Sequence, residues 1–248
     1  MPEILVIGGS DGSCGAGVFA DYETLISLGS KAKFIVTSVT SQNDEVFLEN
    51  HDVPSRTLES QFKAISFEDF NAIKIGMLPS VEAVRIVSTY LSDVSQKIVM
   101  DPVLRSSSGG SFSSNETISA MEELLFPKVD LLTPNLVEAF SLLNLDGDQE
   151  IQIEAIASRC LDFGSEAVLL KGGHLKGAIC KDILVEKGKA PIIFQRNKIA
   201  GGTSVRGTGC RLASAIAHFY GSGSDLREAV LVGTDYLQNY LKEKLKEN

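Results

Sequence analysis

A length of 248 residues and an apolar fraction of 44% suffice for one domain with a buried core. The 32 acidic and 23 basic side chains give a net charge of -9, so no general attraction favours nucleic acid or anionic lipid. No apolar run approaches the roughly 20 residues that span a bilayer. We therefore expect a small-molecule ligand, whose phosphates would need local N–H groups, a few cations and a metal ion.

The cysteines and the first residues favour the cytoplasm. No C-x-x-C pair and no zinc-like histidine spacing occurs around Cys14, Cys160, Cys180 and Cys210, so we expect reduced thiols. The start of the chain lacks the basic flank and cleavage site of a signal peptide.

Short apolar runs alternate with segments of helical periodicity. The predicted strands are Ile4–Ile7, Phe34–Val39, Ala72–Ile75, Ile98–Met100, Val129–Leu132 and Ala167–Leu170. The helices predicted between them are Gly17–Leu28, Ser80–Leu91, Asn135–Leu143 and Ile151–Phe163. This alternation is typical of an α/β fold with a central, mostly parallel sheet and helices on both faces.

The last third of the chain departs from this alternation. Ile179–Val185 and Ile192–Phe194 are predicted to form an antiparallel hairpin at the sheet edge. Two helices follow, Gly209–Tyr220 and Asp225–Leu245. No long linker or repeat interrupts the chain, so we expect a single domain over residues 1–248.

Ligands of parallel sheets bind beyond the carboxyl ends of the strands, and the first strand ends in the glycine-rich segment Gly8–Gly17. A P-loop would need Lys and then Ser or Thr after this segment, where Val18 and Phe19 stand. A G-x-G-x-x-A match begins well past the strand, and no acid ends the next strand, so a dinucleotide site is disfavoured. A plain turn remains an alternative.

A sharper signal is Arg206–Cys210, at the start of the penultimate helix. Gly207 and Gly209, on either side of Thr208, leave backbone N–H groups free, and the helix N-terminus adds about half a positive charge. Such an anion hole suits a phosphoryl group in transfer. We expect the helix dipole to lower the pKa of Cys210, which could then accept a proton from a hydroxyl group. A small residue packed under the loop is the alternative.

Other strand ends carry candidate nucleotide and ring contacts. Asn135 and Glu138 share a helical face and could hold a hydrated Mg²⁺. The same two residues would also fit a helix N-cap with Glu at the N3 position, which has no catalytic function. Lys171 could neutralise phosphates or be an ordinary surface lysine. Three residues could line a pocket for a flat polar ring, namely Asp21, Gln42 and Met77.

Taken in order, these elements resemble the hydroxymethylpyrimidine and phosphomethylpyrimidine kinases of thiamine biosynthesis, which belong to the ribokinase-like superfamily. The resemblance covers nearly the whole chain. Its motifs are Gly9-Ser10-Asp11, Gly15-Ala16-Gly17, Ala20-Asp21, Gln42-Asn43, Lys74-Ile75-Gly76-Met77, Asp101-Pro102-Val103, Thr133-Pro134-Asn135, Glu138-Ala139, Lys171-Gly172-Gly173-His174 and Gly207-Thr208-Gly209-Cys210.

The resemblance implies a ribokinase-like homodimer that uses ATP and Mg²⁺. It implies two successive phosphorylations, of 4-amino-5-hydroxymethyl-2-methylpyrimidine and then of its monophosphate. The implied pyrimidine contacts are Gly9, Asp21, Gln42, Met77 and Val103. The implied nucleotide residues are Asp101, Asn135, Glu138 and Lys171, with Glu138 and Asp101 also serving the metal. The implied catalytic group is Gly207, Thr208, Gly209 and the base Cys210.

Two positions depart from the family pattern. Relatives usually carry His where this chain has Arg206, and Arg211 follows the cysteine; we expect both cations to contact the triphosphate. Cys14 replaces a usual Gly, which disfavours positive φ there.

Other functions remain open. A pyridoxal or related vitamer kinase would use the same cradle, because pyridoxine also offers a ring hydroxymethyl group. A non-catalytic pyrimidine-binding regulatory protein would keep the fold, but the intact Cys210, Glu138 and Lys171 argue against it. A nicotinamide oxidoreductase lacks its ribose-binding acid.

Overall fold

The computed structural model describes residues 1–105, 110, 112–145, 152–173 and 177–246. The strands are β1 (Glu3–Asp11), β2 (Lys31–Gln42), β3 (Phe47–Asp52), β4 (Ala72–Ile75), β5 (Lys97–Met100), β6 (Leu131–Leu132), β7 (Ala167–Leu170), β8 (Ile179–Glu186) and β9 (Ile192–Asn197). The helices are α1 (Gly17–Ser27), α2 (Ser55–Lys63), α3 (Val81–Tyr90), α4 (Asn115–Leu124), α5 (Leu136–Leu142), α6 (Ile153–Leu161), α7 (Thr208–Gly221) and α8 (Leu226–Lys244).

These strands form one sheet, with parallel pairing at its centre and antiparallel pairing at both edges. The order is β3-β2-β1-β4-β5-β6-β7-β8-β9. Pairing is parallel from β2 through β7. At one edge β8 pairs antiparallel with β7 and β9, which confirms the predicted hairpin. At the other edge β3 pairs antiparallel with β2, which the sequence did not predict.

Two buried apolar clusters lie on the two faces of the sheet. Along β1, Ile4 and Val6 belong to one cluster, and Leu5 and Ile7 to the other, because successive side chains of a strand point to opposite faces. Helices α1, α7 and α8 pack into the first cluster, and α2 to α6 pack into the second. Both faces are covered, so the central strands are mostly apolar. The predicted α/β architecture is confirmed.

Three elements gave too weak a pattern for prediction. Strand β3 has mostly exposed side chains, so its sequence lacks an apolar alternation. Helix α2 buries only Leu58 and Phe62. Helix α4 begins after Ser114, whose hydroxyl group caps it by accepting the Thr117 N–H.

Some predicted boundaries differ from the observed ones. The strand predicted at Val129–Leu132 is shorter because the Val129 N–H closes a turn by donating to the Phe126 carbonyl. The first residue of the helix predicted from Ile151 lies outside the described residues. None of the helices in the described ranges is long and apolar enough to cross a bilayer.

Candidate active site

The carboxyl ends of the parallel strands and the N-terminus of α7 meet at one edge of the sheet. Asp101 follows β5, and Lys171 follows β7. A Cβ atom placed on Gly209 would lie 2.9 Å from Asp101 Oδ2 and 3.1 Å from Lys171 Nζ. The first turn of α7 therefore lies against the charged residues that follow the strands. This is the edge of a parallel sheet at which ligands bind.

A cavity at this edge brings together every residue that the sequence assigned to the pyrimidine. Its empty space, including the open mouth, is about 380 Å³. The assigned residues lining it are Gly9, Asp21, Gln42, Met77 and Val103. Cys210 also lines the cavity, so a ring bound there would lie beside the thiol. Other lining residues, which the sequence did not single out, include Lys74 and Phe112.

Close backbone packing shapes the first loop. A Cβ atom on Gly9 would lie 2.8 Å from Met77 Sδ, so only glycine leaves this wall of the cavity undisturbed. Cys14 adopts a φ of 60° despite its side chain. The loop holds it there, because the Cys14 N–H donates to the Asp11 carbonyl at 3.0 Å. A residue with a side chain at this φ carries about 1–2 kcal/mol of backbone strain that a Gly would not.

The turn at the start of α7 has the backbone geometry expected of an anion site. Gly207 precedes α7 in the left-handed region, with a φ of 68°. A Cβ atom there would overlap the Gly15 carbonyl oxygen, so glycine is required. The first bonded amide of the turn is that of Arg211, which donates to the Gly207 carbonyl at 2.9 Å. Among the described residues, the N–H groups of Thr208–Cys210 have no hydrogen-bond acceptor, and they remain able to bind an anion.

The expectation of a lowered pKa for Cys210 is wrong. Burial raises the pKa of this thiol to about 11. The Lys74 ammonium and the Gly17 N–H act in the opposite direction, whereas the carboxylates of Asp21 and Asp101 raise the pKa further. The favourable field of the helix N-terminus is thus outweighed by the loss of water and by two nearby negative charges. At neutral pH the side chain is a thiol.

Lys74 is the site residue that sequence reasoning missed. It lies in β4 and is fully buried, with its Nζ 2.8 Å from Asp21 Oδ2. Asp21 Oδ1 accepts a hydrogen bond from Ser214 Oγ at 2.8 Å. Burial lowers the pKa of Lys74, but the combined effect of Asp21, Cys210 and Asp101 outweighs it and raises the pKa above its ordinary value. A lysine within the apolar run Ala72–Ile75 was the available signal, because such a charge is rarely buried without a specific partner.

Beyond the ends of β5 and β7, Lys171 Nζ lies 2.5 Å from Asp101 Oδ1. Asn135 and Glu138 form a reciprocal capping box, in which Glu138 Oε2 accepts the Asn135 N–H at 2.7 Å and Asn135 Oδ1 accepts the Glu138 N–H at 2.9 Å. The capping alternative is therefore observed. Burial raises the pKa of Glu138 to about 7, Lys171 lowers it and Asp101 raises it, so the three charges form one group.

A magnesium ion fits this group only in a phosphate-assisted mode. The described ranges contain no cluster of three or more His, Cys, Asp or Glu side chains able to hold a metal. Mg²⁺ commonly takes one or two carboxylates and completes its shell with phosphate oxygens and water. Asp101 and Glu138 match that donor set.

The two arginines around the turn contact protein groups. Arg206 pairs with Asp11 at 2.8 Å. Arg211 pairs with Glu23 at 2.7 Å and lies 4.2 Å from the centre of the Tyr240 ring. These contacts hold Arg211 against α1 and α8 and do not direct it toward a triphosphate. His174, the last residue of its motif, lies outside the described residues.

Comparisons with known proteins identify the family. The sequence model of the phosphomethylpyrimidine kinase family matches residues 11–248. A hydroxymethylpyrimidine/phosphomethylpyrimidine kinase of Aquifex aeolicus is 37% identical over 245 residues, which cover 98% of this chain and 95% of the relative. The chain belongs to the phosphomethylpyrimidine kinase family.

Solved structures agree with this kinase family and with the ribokinase-like fold. The crystal structure of a phosphomethylpyrimidine kinase from Clostridium difficile is 30% identical with a TM-score of 0.82, covering 97% of this chain and 100% of that one. A pyridoxal kinase from Staphylococcus aureus, solved with pyridoxal, is 26% identical with a TM-score of 0.87, covering 98% of this chain and 88% of that one. The oxidoreductase alternative is not supported.

Alkylation of Cys210 should show its raised pKa. Because the thiolate is the reactive form, the iodoacetamide rate, followed by mass spectrometry of the Cys210 peptide, should rise about tenfold per pH unit from pH 7 towards 11. A plateau below pH 8 would mean a lowered pKa and contradict the burial argument.

Burial also raises the pKa values of Cys160 and Cys180 to about 12. Because these two thiols ionise more easily in the unfolded chain, their contribution to the free energy of unfolding is full below pH 9 and is lost as the pH rises towards 12. Circular dichroism should therefore accompany each measurement to show that the protein is still folded.

Proposed function

We propose that this kinase transfers the γ-phosphoryl group of ATP to the hydroxymethyl group of 4-amino-5-hydroxymethyl-2-methylpyrimidine, and then phosphorylates the resulting monophosphate. One observation carries the proposal. The cavity lined by all five assigned ring contacts also contains Cys210, whose own helix begins with N–H groups that have no acceptor among the described residues. Acceptor site and phosphoryl cradle are therefore adjacent.

The acceptor ring would lie between apolar walls and polar edges. Met77 and Val103 supply apolar surface for the ring face, and Gly9 allows close approach of the backbone. The Gln42 side chain, whose Nε2 donates to Thr40 Oγ1 at 2.9 Å, lines the cavity and supplies a polar amide at the edge of the ring. Asp21 is held by Lys74 and Ser214, which fixes its carboxylate at the cavity wall.

The turn would stabilise the phosphoryl group during transfer. Gly207 sets the entry angle of α7, and the amides of Thr208, Gly209 and Cys210 present partial positive charge to the three equatorial oxygens. These donors are preorganised by the helix, so they need no reorientation during the reaction. The overall charge of the protein opposes phosphate binding, which makes this local field necessary.

Asp101, Asn135, Glu138 and Lys171 would serve the nucleotide. Lys171 offsets phosphate charge, and burial beside Asp101 and Glu138 keeps it close to the first turn of α7. A bound Mg²⁺ would offset the charge of the β- and γ-phosphates. Asp101 and Glu138 would hold it, and a nearby cation would favour the ionised form of Glu138.

The two transfers differ in their need for a base. The first acceptor is an alcohol, which must lose a proton, whereas the second is a phosphate oxygen that is already largely ionised at neutral pH. Cys210 lines the cavity and would take the proton as its thiolate, whose negative charge the Lys74 ammonium offsets. Because burial raises the pKa of Cys210 to about 11, the thiolate is a small minority at neutral pH, and the first transfer should accelerate as the pH rises.

A pyridoxal-type vitamer kinase is the second candidate, and the overlay with the pyridoxal-bound kinase at a TM-score of 0.87 favours keeping it. Sequence identity favours the pyrimidine, because the Aquifex relative reaches 37% against 26% for that pyridoxal kinase. We further propose that the protein is cytoplasmic, in keeping with its four free cysteines, and that it forms the homodimer that the family resemblance implies.

Product analysis tests the acceptor directly. Purified protein with ATP and Mg²⁺ should convert the pyrimidine alcohol to its mono- and diphosphate, resolved by anion-exchange chromatography and mass spectrometry. Pyridoxal, offered at the same concentration, should react at least about tenfold more slowly in kcat/KM, because pocket contacts discriminate ring substituents. Faster turnover of pyridoxal would replace the pyrimidine proposal, and binding of the pyrimidine without ATP turnover would favour the regulatory protein.

The Cys210→Ala variant should separate the two transfers. Loss of a positioned base should slow alcohol phosphorylation by about 10²–10⁴-fold, whereas phosphorylation of the monophosphate should fall by less than about tenfold. Each transfer is measured separately with its own acceptor. Cys160→Ala, which removes a buried thiol from α6, is the matched control and should leave both rates unchanged. Equal losses in both steps would refute this division of roles.

A further inference from the structure

Arg206 joins three segments of the site through one side chain. Its Nη2 lies 2.8 Å from Asp11 Oδ2 at the end of β1. Its Nη1 lies 3.0 Å from Ser13 Oγ in the first loop and 3.1 Å from Asp44 Oδ1 in the turn between β2 and β3. Arg206 itself directly precedes Gly207. One planar guanidinium thus links the first loop, the β2–β3 turn and the turn at Arg206–Cys210, which we call the phosphoryl turn.

Asp11 organises the first loop from within. Only 1% of its surface is exposed. Its Oδ1 accepts hydrogen bonds from the Ser13 N–H at 3.0 Å and from Ser13 Oγ at 2.7 Å, and its Oδ2 accepts the Ala16 N–H at 3.0 Å. The carboxylate that sets the loop conformation therefore also anchors Arg206. Displacing the guanidinium would leave a buried charge with N–H and O–H donors but no cation.

The contact between the two loops is also steric. Gly207 packs so closely on the Gly15 carbonyl that no side chain fits, and a Cβ atom on Gly15 would lie 2.8 Å from Arg206 Nη1. Asp11 and Ala16 of the first loop line the cavity, as do Thr40 and Gln42 of β2, whose Thr40 Oγ1 donates to the Ser10 carbonyl at 2.8 Å and accepts from Gln42. The segments that Arg206 fastens therefore include walls of the acceptor cavity.

The same contacts leave little of Arg206 for a nucleotide. Asp11, Ser13 and Asp44 already accept from both terminal nitrogens, and Nε is buried without a hydrogen-bond partner among the described residues. The two carboxylates give this neighbourhood a net negative charge, which repels a triphosphate. The positive charge of Arg206 is thus already paired with carboxylates of the protein.

We propose that Arg206 is a positioning residue for the acceptor, whose guanidinium fastens the first loop and the β2–β3 turn to the phosphoryl turn and so aligns the pyrimidine cavity with the cradle. This inference rests on the proposed function. It differs from the expectation drawn from the sequence, in which Arg206 contacts ATP. A guanidinium suits the role because its planar fork holds two terminal nitrogens in fixed relative positions, one on each carboxylate, whereas an ammonium is a single point charge on a flexible stem.

The KM values of the two substrates distinguish these roles. Arg206→Ala should raise the acceptor KM about tenfold or more and leave the ATP KM within about twofold, because a misaligned acceptor site loses binding and orientation. Arg206→Lys should act in the same direction to a smaller extent. Asp44→Ala removes a partner of Arg206 whose side chain is 84% exposed. It should raise the acceptor KM by about two- to threefold without lowering the melting temperature. Arg196→Ala, which breaks a remote pair with Asp235, is the matched arginine control and should change neither KM.

Calorimetric binding of the pyrimidine without ATP keeps the inference separate from the function. Wild-type protein that neither binds nor phosphorylates the pyrimidine would refute both. A functional wild type whose Arg206 variants show a raised ATP KM, or a lower melting temperature with both KM values unchanged, would overturn the positioning role alone. If Arg206→Ala does not fold, Arg206→Lys and Asp44→Ala carry the same comparison, and unchanged acceptor KM values in both would overturn it.

Discussion

The site depends on one steric constraint, the contact between Gly207 and the Gly15 carbonyl. Gly207 adopts a left-handed conformation at the start of α7, and its contact with the first loop leaves no space for a side chain there. Because the loop and the turn follow distant parts of the chain, the contact fixes the acceptor cavity relative to the phosphoryl cradle. Any side chain at Gly207 would separate the two sites before changing any catalytic group.

The electrostatics follow from the same crowding. Each buried cation of the site is already paired, Lys74 with Asp21, Lys171 with Asp101 and Arg206 with Asp11. The amides of Thr208–Cys210, by contrast, have no hydrogen-bond acceptor among the described residues and can still bind an anion. This local donor set explains how an acidic protein captures a phosphoryl group, whereas burial and the carboxylates of Asp21 and Asp101 keep the Cys210 thiol protonated despite its place at a helix N-terminus.

Sequence reasoning recovered the parts of the fold and site that local pattern encodes. Continuous apolar runs predicted the central strands, and residues just after them lie in the cavity because parallel strands end at one edge. Strand β3 was missed because its exposed edge has no apolar alternation. Three features depend on burial and on neighbours distant in sequence, which the spacing of residues along the chain does not reveal. They are the pKa of Cys210, the pairing of Lys74 with Asp21 and the pairing of Arg206 with Asp11.

The amide signals of the turn test the central claim most directly. In ¹⁵N-labelled protein, a complex of ADP and aluminium fluoride, which imitates a phosphoryl group in transfer, should shift the resonances of Thr208, Gly209 and Cys210 downfield and slow their hydrogen exchange, because each N–H gains an anionic acceptor. Unchanged amides in these three residues, with shifts elsewhere showing that the complex has bound, would contradict the account.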